Sequence, residues 1–493
     1  MSIASAFNFA LSGLTASSRM AEVVSSNIAN AMTEGYARRE LSISSQTLGG
    51  TGGGVRIVGV NRIVNQVVAQ DLMLADAASA NTTAKTDFYS RLESQIGDPE
   101  TAGSLSATMS DFENALLTAG SMPDSTARLA ATVRSASAVA NKLNSISDDL
   151  QAARLTADKS ITKQVRTLNE TLSQLEEMNR TITTQISIGN DAAGLMDERQ
   201  SLVNQISEIV PIRVVQRDNN QISLFTSGGA ILLDGTAAHL EFEGAGVMQA
   251  GYSLATGELK GISINGVAVS TADDGPLGGG TLGAAFAVRD ELAPEAQSQL
   301  DAFAMDLVSR LQDPSVDTTL SSTDAGLFTD RGAAFEFAAD GSALDPAAEI
   351  GLAGRLKLNA IVDPEQGGEV WHLRDGLMAG SQGAIGNGTI LNALSAALTK
   401  EAAPASGDYG PALRTSSGLA SDLLSYASSG RQSSELTQGY ATARQETLKE
   451  MSLADGVDTD HEMQTLLVVE KAYAANAKVI QTIDAMLQEL LDI

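Results

Sequence analysis

A mainly α fold with inserted β domains is the class this sequence predicts, on three observations. Apolar residues recur at alternating steps of three and four at both ends of the chain. A helical period continues with few breaks from residue 63 to 210, and at Ile212 the period changes to two. Together they describe paired terminal coiled-coil helices, a long helical bundle rod and two β-containing outer domains. The length of 493 residues exceeds one ordinary core and implies three or four domains. Hydrophobic residues make up 43% of the chain but aromatic ones only 4%, so Ala, Ser, Thr and Gly must form thin helical interfaces.

At the N-terminus, Ile3, Phe7, Ala10, Leu14, Ser17, Ala21, Val24, Ile28 and Ala31 lay one apolar stripe along a helix. Met1 to Ser18 carry no charge, yet no Lys or Arg precedes the stretch, and Ser2, Ser5, Asn8, Ser12 and Thr15 interrupt it. Neither a cleaved leader nor a membrane span is expected there. From Thr33 to Asn61 the chain is polar and glycine-rich. Leu41 and Ile43 on one side of the Gly49–Gly54 cluster, and Val55, Ile57 and Val60 on the other, predict two short strands. The cluster lacks GxxxxGK[ST] and no helix start follows it, so it is no phosphate loop.

Helix then dominates to Val210. Pro123 and Asp124 mark a start, and Val165, Leu168, Leu172, Leu175, Asn179, Ile182 and Ile186 form a second three-and-four stripe. Gly189–Gly194 is a break, Leu195–Val210 resumes, and Pro211 stops it. The pairs Ile212/Val214, Ile222/Leu224 and Ile231/Leu233, with turns at Asn219-Asn220, Gly228-Gly229 and Gly235, predict a β domain. One helix is expected over Leu282–Leu311. A Gly- and Asp-rich stretch with short strands at Leu356, Leu358 and Ile361 follows, and helices run from near Ile390 to Met451 with a loop at Ala403–Pro411. The expected organisation is 1–60 as N-terminal helix and glycine-rich β linker, paired with 452–493. Residues 61–210 form the bundle with 282–312 and 390–451, and 211–281 and 313–389 are the outer domains.

The C-terminal helix carries the stronger seam: Leu466, Val469, Tyr473, Asn476, Ile480, Ile483, Leu487 and Leu490. A lone seam Asn fixes register and partner number at some cost in stability. Asp455, Asp458, Asp460 and Glu462 precede the seam, where the helix dipole favours acids. Eight seam residues at about 2 kcal/mol each supply roughly 16 kcal/mol. Ordering the helix costs about 1–2 kcal/mol per residue. Each end should therefore fray until a partner covers it.

The chemistry of sites is sparse. Zero cysteines exclude disulfides, thiolate nucleophiles and Cys-ligated metals. His239, His372 and His461 are scattered, and Thr465 stands where a zincin needs its second His. No GxSxG occurs, and Asp313–Asp330 lacks the pattern of an EF-hand. No catalytic residue, cofactor or metal is expected. With 60 Asp and Glu against 32 Lys and Arg, the net charge of −28 repels nucleic acid.

Ser26-Asn27-Ile28-Ala29-Asn30, then Thr33, Gly35, Tyr36 and Arg38, resembles the N-terminal signature of the bacterial flagellar rod, hook and junction proteins. Gly456-Val457-Asp458, Glu462-Met463, Ala472-Tyr473, Ala475–Ile480 and Asp484–Leu487 resemble the matching C-terminal signature. No Pro precedes Gly35 in Ala31-Met32-Thr33-Glu34, which departs from the pattern. Asn27 and Asn30 can cap and turn the helix end, Gly35 allows positive φ, and Tyr36 offers an apolar face with a polar tip. Leu195-Met196-Asp197-Glu198-Arg199 with Leu202-Val203 and Ile206 resembles the hook–filament junction members. So do Gly279–Gly283 and Leu356–Asn359 followed by Asp363-Pro364.

The resemblance implies a secreted, non-enzymatic subunit of the extracellular flagellum at the hook–filament junction. The type III export apparatus would carry it unfolded, and an export chaperone would cover the C-terminal helix. It would then form a ring of its own copies between hook protein and a second hook-associated junction protein, with no membrane insertion and no nucleic acid. Ile3, Phe7, Leu14, Val24 and Ile28 would be the N-terminal assembly seam, and Leu466 to Leu490 the C-terminal seam and chaperone site. Hook or distal-rod protein is the alternative within the same family.

Overall fold

The computed structural model describes residues 3–33, 35–48, 51–338 and 342–491. It is mainly α with small inserted sheets. Helix α1 (Ile3–Ala29) leads into an antiparallel hairpin, β1 (Arg39–Leu48) and β2 (Thr51–Arg62), with Arg39 opposite Arg62 at its open end. Gly49 and Gly50 of the predicted turn lie outside the described residues. Four helices follow: α2 (Gln66–Ile96), α3 (Leu105–Ser121), α4 (Thr126–Ser187) and α5 (Ala193–Ile209). At 62 residues α4 is about 93 Å long and forms the spine of the molecule. Its cap is Ser125, whose Oγ accepts from the Arg128 N–H at 3.4 Å, so Pro123 and Asp124 belong to the preceding turn rather than the first helical turn.

Strands β3 (Ile212–Gln216), β4 (Ile222–Thr226), β5 (Ile231–Asp234) and β6 (Thr236–Ala237) form an antiparallel sheet in that order. Strands β7 (Leu240–Glu241), β8 (Ile262–Ile264) and β9 (Val267–Val269) form another. The helix expected over Leu282–Leu311 is present, as α6 (Gly280–Ala287) and α7 (Ala293–Leu311) joined without interruption by a π-turn at Val288–Leu292. Beyond it lie β10 (Phe328–Asp330), α8 (Pro346–Glu349), β11 (Leu356–Leu358) and α9 (His372–Asp375). Helices α10 (Thr389–Thr399), α11 (Ser416–Ala454) and α12 (Thr459–Leu491) complete the chain.

The apolar interior divides into two clusters along α4. One gathers Phe112, Leu129, Leu143, Leu150, Phe303 and Phe328. The other gathers Ile161, Leu168, Leu175, Ile206, Leu224, Leu240 and Phe286. Strands of two to five residues cannot enclose a core of their own, so β3–β9 complete the second cluster, and β10 and β11 complete the first. Between the clusters lies a buried ionic layer. Arg289, in the π-turn, donates to Asp158 at 2.9 Å and to Asp290 at 2.8 and 2.9 Å, and Arg154 donates to backbone carbonyls of residues 249, 250, 252 and 289. Every charge in this layer has a hydrogen-bonded partner, the condition under which a buried ion survives.

Two long antiparallel pairs extend from this body. α11 runs along α2, with the Gln445 amide donating to Asp76 at 2.8 Å and Arg431 paired with Glu93. α12 returns along α1, so the two ends of the chain lie side by side with the hairpin against them.

Candidate functional site

The terminal unit is built from α1, α12 and the β1–β2 hairpin. Its centre is Asn27, fully buried and satisfied at every polar position. The Asn27 Nδ2 donates to the Arg39 carbonyl at 2.9 Å and to Glu462 Oε2 at 3.1 Å, while its Oδ1 accepts from the Tyr36 hydroxyl and the Arg39 N–H, each at 2.9 Å. One side chain thus ties α1, the turn after it, the first residue of β1 and the start of α12. Its partner Glu462 stands 435 positions away in sequence. Only 1% of Glu462 is exposed, and its second oxygen accepts from Arg38 Nε at 2.8 Å. A buried carboxylate without such partners would be costly.

The other motif residues have simpler work. Asn30 caps the helix end, its amide donating to the Ser26 carbonyl at 2.9 Å. Gly35 has φ of +79°, the left-handed conformation that favours glycine and that its place in the motif suggested. Tyr36 lies beneath the Arg39 guanidinium, 4.9 Å from ring centroid to charge, with its hydroxyl on Asn27 and near Ser26. Asn27 itself does not cap its own helix. It joins elements that are distant in sequence.

On the N-terminal seam, Val24 is buried, Ile3, Leu14 and Ile28 are half-buried, and Phe7 is exposed. The buried face of α1 runs through Ala10, Ala16, Ser17, Val23, Val24 and Asn27, rotated from the expected stripe toward the small residues. On α12, Val469 and Ile483 are buried, while Leu466, Asn476 and Ile480 are half-buried. Tyr473 and Leu487 are exposed, and the Leu490 side chain lies outside the described residues. Asn476 meets Gly13, where an added Cβ would stand 2.8 Å from its Nδ2 and 2.9 Å from its Oδ1. Gly13 is the socket that lets the two helices approach. The Asn476 amide donates back to the Ala472 carbonyl at 3.0 Å, so it makes no polar bond across the pair.

Sequence reading missed Glu462 by assigning it to the helix dipole, a role that Asp458 fills. The Asp458 Oδ1 accepts from the N–H groups of Asp460 and His461 at 2.9 and 3.1 Å. The signal was present: counting four back from Leu466 puts Glu462 on the seam, and a seam carboxylate needs a cation. Arg199 was also unforeseen as a core residue. It is buried, donates to Asn179 and to the Asn220 carbonyl at 3.0 and 2.6 Å, and burial together with Arg62 lowers its pKa to about 10.

Among the described residues no group of His, Asp and Glu could hold a metal ion, and no helix is long and apolar enough to cross a membrane. What the terminal unit does offer is apolar surface. Val468, Val479 and Met486 share one face of α12 and are exposed, as is Leu467 further round the helix, with Val468 65% exposed.

Comparison with known proteins places three family models on the chain. The helical domain of flagellar hook-associated protein FlgK matches residues 89–313, the flagella basal body rod protein model matches 7–36, and the C-terminal model of the basal body rod FlgEFG proteins matches 453–493. The flagellar hook-associated protein 1 of Bacillus subtilis is 23% identical over 97% of this chain and 96% of its own length. That of Salmonella typhimurium is 27% identical over 48% of this chain, which spans 44% of that relative. The solved flagellar hook junction protein from Burkholderia pseudomallei aligns over 53% of this chain and 46% of its own, at 22% identity and a TM-score of 0.42.

Proposed function

The chain belongs to the flagellar hook-associated protein family, structural axial components of the flagellum and not enzymes, and from that premise we propose that it is the subunit joining hook to filament. The observation that carries the reading is the closed terminal pair. Asn27 and Glu462 lock the two ends of the chain together, while the uncovered side of α12 keeps Val468, Val479 and Met486 exposed for neighbours. A ring of such subunits polymerises through these paired ends. It presents one surface to hook protein and another to the second hook-associated protein, outside the cell.

The family resemblance extends the proposal to delivery. The subunit travels unfolded through the type III export apparatus, and a chaperone holds the apolar side of α12 until export. Hook and distal-rod proteins remain the alternative, since the rod-type models match both ends. The helical-domain match over 89–313 favours the hook-associated reading. Deletion of the gene tests it: the cells should complete hooks, lack filaments and shed flagellin into the medium. Normal filaments in that strain would refute the junction role.

A further inference from the structure

At the open end of the hairpin, Arg39 and Arg62 are register partners, an arrangement in which two guanidinium groups repel. Both converge on Asp197 of α5. Arg39 Nη2 reaches its Oδ2 at 2.7 Å, Arg62 Nη2 and Nε reach its Oδ1 at 2.7 and 2.9 Å, and the Ala37 N–H donates to Oδ1 at 3.3 Å. All three charged side chains are largely buried. On the hairpin side, the Arg39 backbone is held by Asn27, which holds Glu462 of α12. On the other side, Arg199, two residues beyond Asp197, anchors α5 to Asn179 of α4. Hydrogen bonds and ion pairs, linked through the backbone of Arg39 and of α5, therefore run from the terminal helices into the helical body.

Beyond these, Arg19 of α1 pairs with Asp191 at 3.6 Å, an exposed and weak contact. Ile63, Val64 and Val67, at the covalent crossing from β2 to α2, are all exposed. A cleft of about 1050 Å³, lined by Arg19, Val58, Val60, Ile186, Asn190 and Met196, opens beside the ion pairs. With apolar burial thin, the orientation of the two bodies rests on the polar contacts. We propose that Asp197 is a positioning residue that sets the angle between the terminal axial unit and the helical domain, by clamping Arg39 and Arg62 together. The proposal deepens the axial-subunit reading, because an assembled subunit must present its helical domain at one fixed angle to its core.

The absence of cysteine makes the test clean on the full-length protein. Spin labels at Thr15→Cys on α1 and Glu170→Cys on α4, both exposed positions, report the distance between the bodies by pulsed electron paramagnetic resonance. The wild-type background should give one narrow distribution. Asp197→Asn should broaden it at least twofold, Arg62→Gln should broaden it less, and Asp197→Glu should restore most of the narrowing with unchanged helicity. A narrow, unshifted distribution in both Asp197→Asn and Arg62→Gln would overturn the clamp. Should Asp197→Asn fail to fold, Arg62→Gln alone decides, since Arg39 still holds Asp197 in that variant. The readout is taken on the free subunit, so the clamp stands or falls whether or not the deletion strain lacks filaments.

Discussion

Replacing Asn27 by Asp changes almost no volume and inverts the chemistry of the buried lock. The two donor bonds from Nδ2, to the Arg39 carbonyl and to Glu462 Oε2, become contacts between oxygens. At the observed 3.1 Å, two carboxylates repel by about 5 kcal/mol for an effective dielectric near 20. Arg38 on the other Glu462 oxygen reduces that value, and the lost hydrogen bonds add about 1 kcal/mol each. The repulsion is felt only when both carboxyl groups are ionised, so it disfavours the second ionisation of the pair in the folded state. A folded pKa raised above the unfolded value means the folded state holds its proton longer. The electrostatic part of the deficit is therefore smallest at acid pH and grows as pH rises, on top of a hydrogen-bond loss that persists at every pH. Hydrogen exchange of the α12 amides, compared at pH-corrected rates, measures the opening energy directly. Asn27→Ala, which lacks the added charge, should be destabilised without this pH slope. An Asn27→Asp protein as protected as wild type at pH 8, or a deficit flat from pH 4 to 8, would refute the assignment of Asn27–Glu462 as the terminal lock.

Gly13→Ala should loosen the same helix pair by about 1–3 kcal/mol, because the new methyl meets Asn476 at 2.8 Å; adding Asn476→Ala should recover most of the loss in a double-mutant cycle of α12 exchange. Val468→Asp and Val479→Asp should leave the melting of the free subunit within about 0.5 kcal/mol, since both are exposed, yet prevent polymerisation measured by sedimentation. Asp301, buried beneath the Gly351 and Ala353 N–H groups, has its pKa pushed up by desolvation to about 7 from 3.8. Its folded state retains a proton that the unfolded chain has lost, so global stability should fall as pH rises from about 4 to 7, and denaturant titrations of Asp301→Asn should show a flatter profile across that window.

Much of the fold is legible in spacing because spacing is a local property of a regular helix. The stripe Val165, Leu168, Leu172, Leu175, Asn179 and Ile182 is buried along α4, and the change to period two at Ile212 marks the start of β3. The π-turn inside the helix over Leu282–Leu311 was not legible: it aims Arg289 at Asp158 across 131 positions, and no local pattern encodes that pairing. The same limit separates the two helix-end asparagines. Asn30 bonds within its own turn and is readable as a cap, whereas Asn27 bonds to Glu462.

The terminal seams show the division most clearly. The sequence by itself determined that each end is a helix with an apolar face too weak to stand alone, since a three-and-four repeat needs only neighbours along the chain to be recognised. It also carried, at opposite extremes, two signatures that resemble those of flagellar axial subunits. Only the tertiary structure decided which residues close the pair and which stay open. Packing rotated α1 until Gly13 met Asn476, buried Val469 and Ile483, and left Val468 and Val479 outward. Only it could set Glu462 on Arg38 and Asp197 between Arg39 and Arg62. Charge pairing depends on where distant segments meet, and that meeting point is fixed by the packing of the whole chain.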